Sequence, residues 1–270
     1  MNALQSGPLG SARFALRRIL RMISSKPVTS PFQRTLSAAE ASDLAITLSD
    51  AFSWEICSAD VLNVVDLVNR FERRMTGRIA GDVQDYVLNY FMVTSAAELD
   101  PSAERAHVEI GVLFGGGLLL AAHAIKSIGS RNWIVGIDPL SGYYGDHCDP
   151  VTGLKVRPST VHRNIRRMKL ATPKFQLIVA QSGDMIASEA LAEVEIASLW
   201  IDGDHSYEGV RNDWLIYSPR VCHGGFVLFD NYSDGVFPDI DRFIEGELLP
   251  DLDGWDVVIH LGRSMLLRRL

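Results

Sequence analysis

The fold is decided by the stretch Val108-Glu-Ile-Gly-Val-Leu-Phe-Gly-Gly-Gly117. A short apolar run, His107–Ile110, carries an acid and enters a glycine-rich turn, and Leu118–Ile128 then continues apolar. The pattern reads as strand, tight turn and helix, and glycines at such a turn let a ligand come close to the backbone. The spacing departs from the G-x-G-x-x-G of dinucleotide-binding turns, because Gly111 and Gly115 are four apart with Leu113 between them. An amino-acid-bearing nucleoside therefore suits the turn better than a pyrophosphate. Glu109 is placed to meet a ligand amine.

Outward from this unit the same alternation repeats. Trp133–Ile137 reads as a strand ending at Asp138, 27 residues beyond Gly111, where an acid can accept both hydroxyls of a ribose. Phe175–Ala180 follows, then Ile196–Ile201 ending at Asp202, then Phe226–Phe229 ending at Asp230. Strands alternating with helical stretches imply parallel crossovers and helices on both sheet faces. The end differs: Trp255–His260 and Arg263–Arg268 flank a tight Leu261-Gly262 turn, which makes an antiparallel pair. The expected fold is α/β, a Rossmann-like sheet of five parallel strands plus a C-terminal antiparallel hairpin. Upstream, Ala38–Leu48 and Ala59–Arg74 place apolar residues three and four apart, the mark of amphipathic helices. Three segments result: 1–39, a basic leader and linker; 40–105, a helical N-terminal cap or oligomer contact; and 106–270, the α/β domain.

Composition narrows the function. The chain has 270 residues, 47% apolar and 22% charged, a globular balance. No stretch approaches the ~20 uninterrupted apolar residues of a membrane span. Six basic residues, Arg13 to Arg34, precede the first acid, Glu40; without them 20 basic residues face 33 acidic ones, so 40–270 carries −13. An acidic body argues against nucleic acid as the main partner. Cys57, Cys148 and Cys222 are too scattered for a disulfide framework or a paired metal motif, and free thiols in the cytoplasm are expected. The Arg-rich run Ser11–Ile23 leaves organelle targeting as the alternative location.

In an open α/β sheet, ligands bind beyond the carboxyl ends of the strands. There Asp202, Asp230 and Asn231 bring three hard oxygen donors on neighbouring strands, a set that suits Mg²⁺. The phrase IDGDHSYEGV (201–210), followed by GGFVLFDNY (224–232), resembles a bacterial methyltransferase family that acts on small molecules and sugars. It is also similar to the cation-dependent O-methyltransferases of the catechol and caffeoyl-CoA type, and residues 106–270 look like a class I methyltransferase domain.

The resemblance implies S-adenosylmethionine as cofactor and a small-molecule acceptor with vicinal oxygens, such as a sugar, a polyketide or macrolide, or a catechol. Glu109, Gly111 and Gly115 fall in the cofactor turn, and Asp138 matches the ribose acid. Ser182, in VAQSGDMI (179–186), falls beside the adenine. Asp202, Asp230 and Asn231 match the ligands of the divalent cation, with Asp202 also among the cofactor contacts. His205, three positions past the first ligand, stands where the catechol type has lysine and is the expected general base. There are departures: Gly117 replaces a small hydroxyl residue, and Leu140–Val156, with Tyr143, Tyr144, His147 and Cys148, is a long insertion that reads as a substrate lid or a surface loop. Two rival readings are a nicotinamide-dependent oxidoreductase, which predicts the missing glycine pattern, and a non-catalytic nucleotide-binding module.

Overall fold

The computed structural model describes residues 33–143, 145–168 and 174–270. The basic leader therefore lies outside the described residues up to position 32, as does Tyr144 of the insertion.

Five short strands run parallel: β1 Ala106–Ile110, β2 Trp133–Ile137, β3 Phe175–Ile178, β4 Ile196–Ile201 and β5 Val221–Phe229. β6 Trp255–Leu261 and β7 Ser264–Arg269 form the hairpin, and β7 pairs antiparallel with β5. The sheet order is β3-β2-β1-β4-β5-β7-β6, the expected arrangement of parallel strands closed by an antiparallel hairpin. β3 stops two residues short of the span expected for it. β5 starts five residues early, because its pairing with β4 jumps from Ile196↔Val221 to Ser198↔Phe226 around Gly224, which has φ +77°.

β1, β2 and β4 are buried end to end because both sheet faces are covered. The strand residues divide by parity. Leu199 and Ile201 pack into one core with Tyr217 and Phe243, while Trp200 enters the other with Leu88, Met92 and Leu118. Each fully buried Leu, Ile or Phe contributes about 1.5–3 kcal/mol, so loss of either layer would leave a whole sheet face wet.

The second core is built largely by the N-terminal helices α1 Ala38–Phe52, α2 Ser58–Glu72 and α3 Val83–Glu98, with α4 Gly116–Ile128. α1 begins at a reciprocal cap: Ser37 Oγ accepts from Glu40 N–H at 3.2 Å, and Glu40 accepts from Ser37 N–H at 2.7 Å. α3 is buried nearly all round, as a helix lodged between other helices and a sheet must be. The opposite face carries α6 Met185–Ala190, α7 Tyr207–Tyr217 and α8 Pro238–Phe243; α5 Pro158–Arg167 follows the insertion and joins the first group. Residues 34–270 make one compact unit. Among the described residues no helix is long and apolar enough to cross a membrane.

Candidate active site

The sheet order reverses direction between β1 and β4, and a crevice opens at that switch point. Single backbone hydrogen bonds extend the ladder one residue past each strand: Gly111 N to Ile137 O, Asp138 N to Ile178 O, Asp202 N to Ile110 O and Asp230 N to Ile201 O, at 2.9–3.1 Å. One edge thus presents Gly111, Asp138, Asp202 and Asp230 side by side.

The crevice at β1 and β4 has a cavity volume of about 20 Å³. Glu109, Gly111, Gly117 and Asp202 line it. Gly111 has φ +90°, and a Cβ there would overlap the Asp202 carbonyl oxygen. A Cβ on Gly117 would overlap the Glu109 carboxylate and come within 2.8 Å of the Trp200 ring. Gly117, which stands where the family commonly has a small hydroxyl residue, leaves that space to Glu109. Glu109 is 3% exposed, and its Oε2 has no hydrogen-bond partner. Desolvation, then the charges of Asp202 and Asp138, hold its carboxyl well above the usual range.

Asp138 is tied differently from expectation. Its Oδ2 accepts from the amides of Val112 and Leu113 at 2.8 and 2.9 Å, and its Oδ1 accepts from Leu140 N at 2.7 Å. Both leucines have positive φ, 50° and 47°. The carboxylate therefore fastens the glycine turn to the start of the insertion. A carboxylate offers about four lone-pair sites, so ribose hydroxyls would have about one left. Gly115 caps α4 with φ +85°. Ser182 stands further along the edge on the loop leaving β3, where its carbonyl accepts from Tyr217 Oη at 2.6 Å. Neither Asp138 nor Ser182 lines the crevice itself.

Asp202 and Asp230 adjoin each other. Desolvation pushes Asp202 up to about 7, and Asp230 is raised by desolvation and by the charges of Asp202 and Asp85. His205 Nε2 lies 3.3 Å from Asp202 Oδ1, and its ring meets Phe237 edge-on at 4.1 Å between centroids. Burial depresses the imidazole to about 4, against the pull of Asp230, Asp234 and Asp204. It is not poised near neutral pH, as residue type alone suggested. Asn231, at φ +62°, donates its amide N–H to Asp234 Oδ2 at 2.7 Å. Among the described residues no three His, Cys, Asp or Glu side chains are grouped to hold a metal ion. The expected set contains only two of that kind, Asp202 and Asp230, completed by an amide.

Five residues at or beside the site escaped the sequence reading. Arg78 and Tyr86, from the helical N-terminal region, line the crevice. Arg263, from the β6–β7 turn, lies 3.1 Å from Asp85 and 3.6 Å from Asp230, while Ser264 Oγ donates to Asp85 at 2.9 Å. No spacing rule could have paired Arg263 with Asp85, 178 residues away.

A sequence model described as a methyltransferase domain matches residues 108–232. An uncharacterized protein of Acanthamoeba polyphaga mimivirus is 31% identical over 164 residues, which is 58% of this chain and 67% of that protein. Among solved structures, the O-methyltransferase NovP superposes with a TM-score of 0.56 at 16% identity, over 86% of this chain and 99% of its own. CalS11, a TDP-rhamnose 3'-O-methyltransferase in calicheamicin biosynthesis, gives 0.50 at 15% identity over 98% and 96%. At such identities these two structures establish a shared fold.

Proposed function

Since the chain belongs to the class I S-adenosylmethionine-dependent methyltransferases, we propose that it transfers the sulfonium methyl group to a hydroxyl of a small molecule. A sugar, a polyketide or macrolide, or a catechol-like acceptor fits this reading. The observation that carries it is the orphaned Glu109 carboxylate, buried at the crevice between Gly111 and Gly117. A buried, unpaired acid calls for a cation, and the ammonium of an amino-acid-bearing nucleoside supplies one. A dinucleotide has no such group on its pyrophosphate, and the turn lacks the glycine pattern that a nicotinamide enzyme would need.

Methyl transfer is an in-line displacement: the acceptor oxygen forms a bond to carbon, the sulfur–carbon bond breaks, and the hydroxyl proton leaves. The chain must therefore orient donor and acceptor and take up that proton. His205 is the proposed acceptor of the proton. It is neutral around pH 7, and the neighbouring Asp202, at 3.3 Å, would stabilise the imidazolium as it forms. Asp138 would contribute to the ribose with its remaining lone pair, and Ser182 to the adenine side.

Two carboxylates and an amide oxygen fit a divalent cation. Asp202 and Asp230 are close and desolvated, and the one cation beside them, Arg263, is shared with Asp85. Asp202, Asp230 and Asn231 would hold Mg²⁺, which when bound lowers the pKa of an acceptor hydroxyl. The test follows transfer of a labelled methyl group to vicinal-diol acceptors before and after chelation. Loss of turnover restored by Mg²⁺ or Mn²⁺ supports the cation, and full activity after exhaustive chelation rejects it. His205→Gln should cut turnover about 10²–10⁴-fold with S-adenosylhomocysteine affinity retained. Near-normal activity with an unchanged pH profile rejects His205 as the base.

A further inference from the structure

The crevice is lined by two acids, Glu109 and Asp202, and by a single base, Arg78. The amino-acid end of the cofactor is a zwitterion, so a site that meets its ammonium with Glu109 still needs a partner for its carboxylate. The turn has little to offer. The amides of Gly111, Val112, Leu113 and Gly115 are already committed to Ile137 O, to Asp138 and to Val112 O. The amide of Phe114 and the first-turn amides of α4 remain, and they carry no full charge.

Arg78 is held ready for an anion. Its Nε and Nη2 donate to Asp149 at 2.9–3.2 Å, and Asp149 is fully buried and fixed in turn by Thr152 at 2.6 and 2.9 Å. The guanidinium also lies over the Tyr143 ring, 5.6 Å from its centroid. A guanidinium has five N–H donors; Asp149 engages one edge of it and the Tyr143 hydroxyl a further donor, which leaves two for an anion. The segment that carries Arg78 is clamped on both sides. Buried Asn164 accepts from Thr76 N–H at 2.8 Å and donates to Thr76 O and Phe114 O at 2.9 Å, and Arg34 donates to Ile79 O at 2.6 Å. Gly77, at φ +98°, packs against the Phe114 ring so closely that a Cβ would overlap it. Two of these contacts run to Phe114 of the glycine turn itself, so Arg78 and that turn are positioned as one piece.

We propose that Arg78 binds the carboxylate of the cofactor's amino-acid end, with Asp149 orienting the guanidinium. This rests on the reading of the chain as an S-adenosylmethionine-dependent enzyme. Through Asp149 and Tyr143 the same residue ties the insertion to the crevice.

Calorimetry with two ligands tests it: S-adenosylhomocysteine and its decarboxylated analogue, S-adenosyl-3-thiopropylamine. The wild-type protein should prefer the first. Arg78→Gln should weaken S-adenosylhomocysteine about 10- to 100-fold, the range of a charge-assisted hydrogen-bonded pair, and leave the analogue's affinity unchanged. Asp149→Asn should weaken S-adenosylhomocysteine less, because the charge of Arg78 stays in place. If Arg78→Gln weakens both ligands equally, or neither, Arg78 serves only the fold and the proposal fails. If the wild-type protein binds neither ligand, the S-adenosylmethionine reading fails instead. Arg78→Lys, which keeps charge but not the fork, serves as the second variant should the glutamine form unfold.

Discussion

Replacing Asp138 with alanine deletes three acceptor bonds of 2.7–2.9 Å at one stroke. Each links a carboxylate to a backbone amide, and hydrogen bonds to charged groups contribute about 1.5–3 kcal/mol apiece. They share one acceptor and do not add fully, so the expected loss is about 3–5 kcal/mol. Part of that loss is conformational, since Leu113 and Leu140 at φ 50° and 47° are held in a region leucine seldom visits. Against a total stability of about 5–15 kcal/mol this is severe, and at about 2–4 °C per kcal/mol it lowers the melting temperature by about 6–20 °C. Asp138→Asn keeps one oxygen acceptor and turns an amide N–H₂ toward the remaining donors; it should fall between the two. The assay is thermal unfolding followed by circular dichroism, paired with S-adenosylhomocysteine titration of the same samples. If Asp138→Ala melts within about 2 °C of the wild type and loses only ligand affinity, the carboxylate serves the ribose rather than the turn, and the reasoning is wrong.

Gly117→Ala should be more damaging than an ordinary glycine-to-alanine change in a helix, because its Cβ meets the Glu109 carboxylate and the Trp200 ring; we expect at least a tenfold loss of S-adenosylhomocysteine affinity by calorimetry, with Gly129→Ala, open on all sides but at φ +69°, losing stability alone. His107 is buried against Ser198 Oγ at 2.9 Å, and desolvation depresses it to about 3. The folded imidazole therefore stays neutral while the unfolded one protonates below about 6.5, so stability falls as the pH drops. Urea midpoints of wild type and His107→Asn should diverge by about 1.5–2 kcal/mol between pH 6.5 and pH 5, with the wild type losing more; parallel pH curves would show that His107 is not held neutral.

The residues delivered by strand ends were legible in the sequence. In a parallel sheet every strand finishes at the same edge, so Gly111, Asp138, Asp202 and Asp230 had to become neighbours once each apolar run was seen to end at its turn or acid. The hairpin was legible for a similar local reason, a tight glycine turn between two short apolar runs, although Leu261 pairs with Ser264 and the turn itself is Gly262-Arg263, one residue later than expected. Only the tertiary structure decided what surrounds that edge. Arg78, Tyr86 and Arg263 reach it from helices and turns whose docking depends on non-local packing, and their local sequence carries no periodic signal of the destination. The same holds for charge state. Asp202 at about 7 and His205 at about 4 depart from their residue types in opposite directions because burial penalises whichever form is charged. Burial belongs to the assembled chain. So does the role of Asp138, whose three amide partners lie on a turn and an insertion that only the folded protein brings against the end of β2.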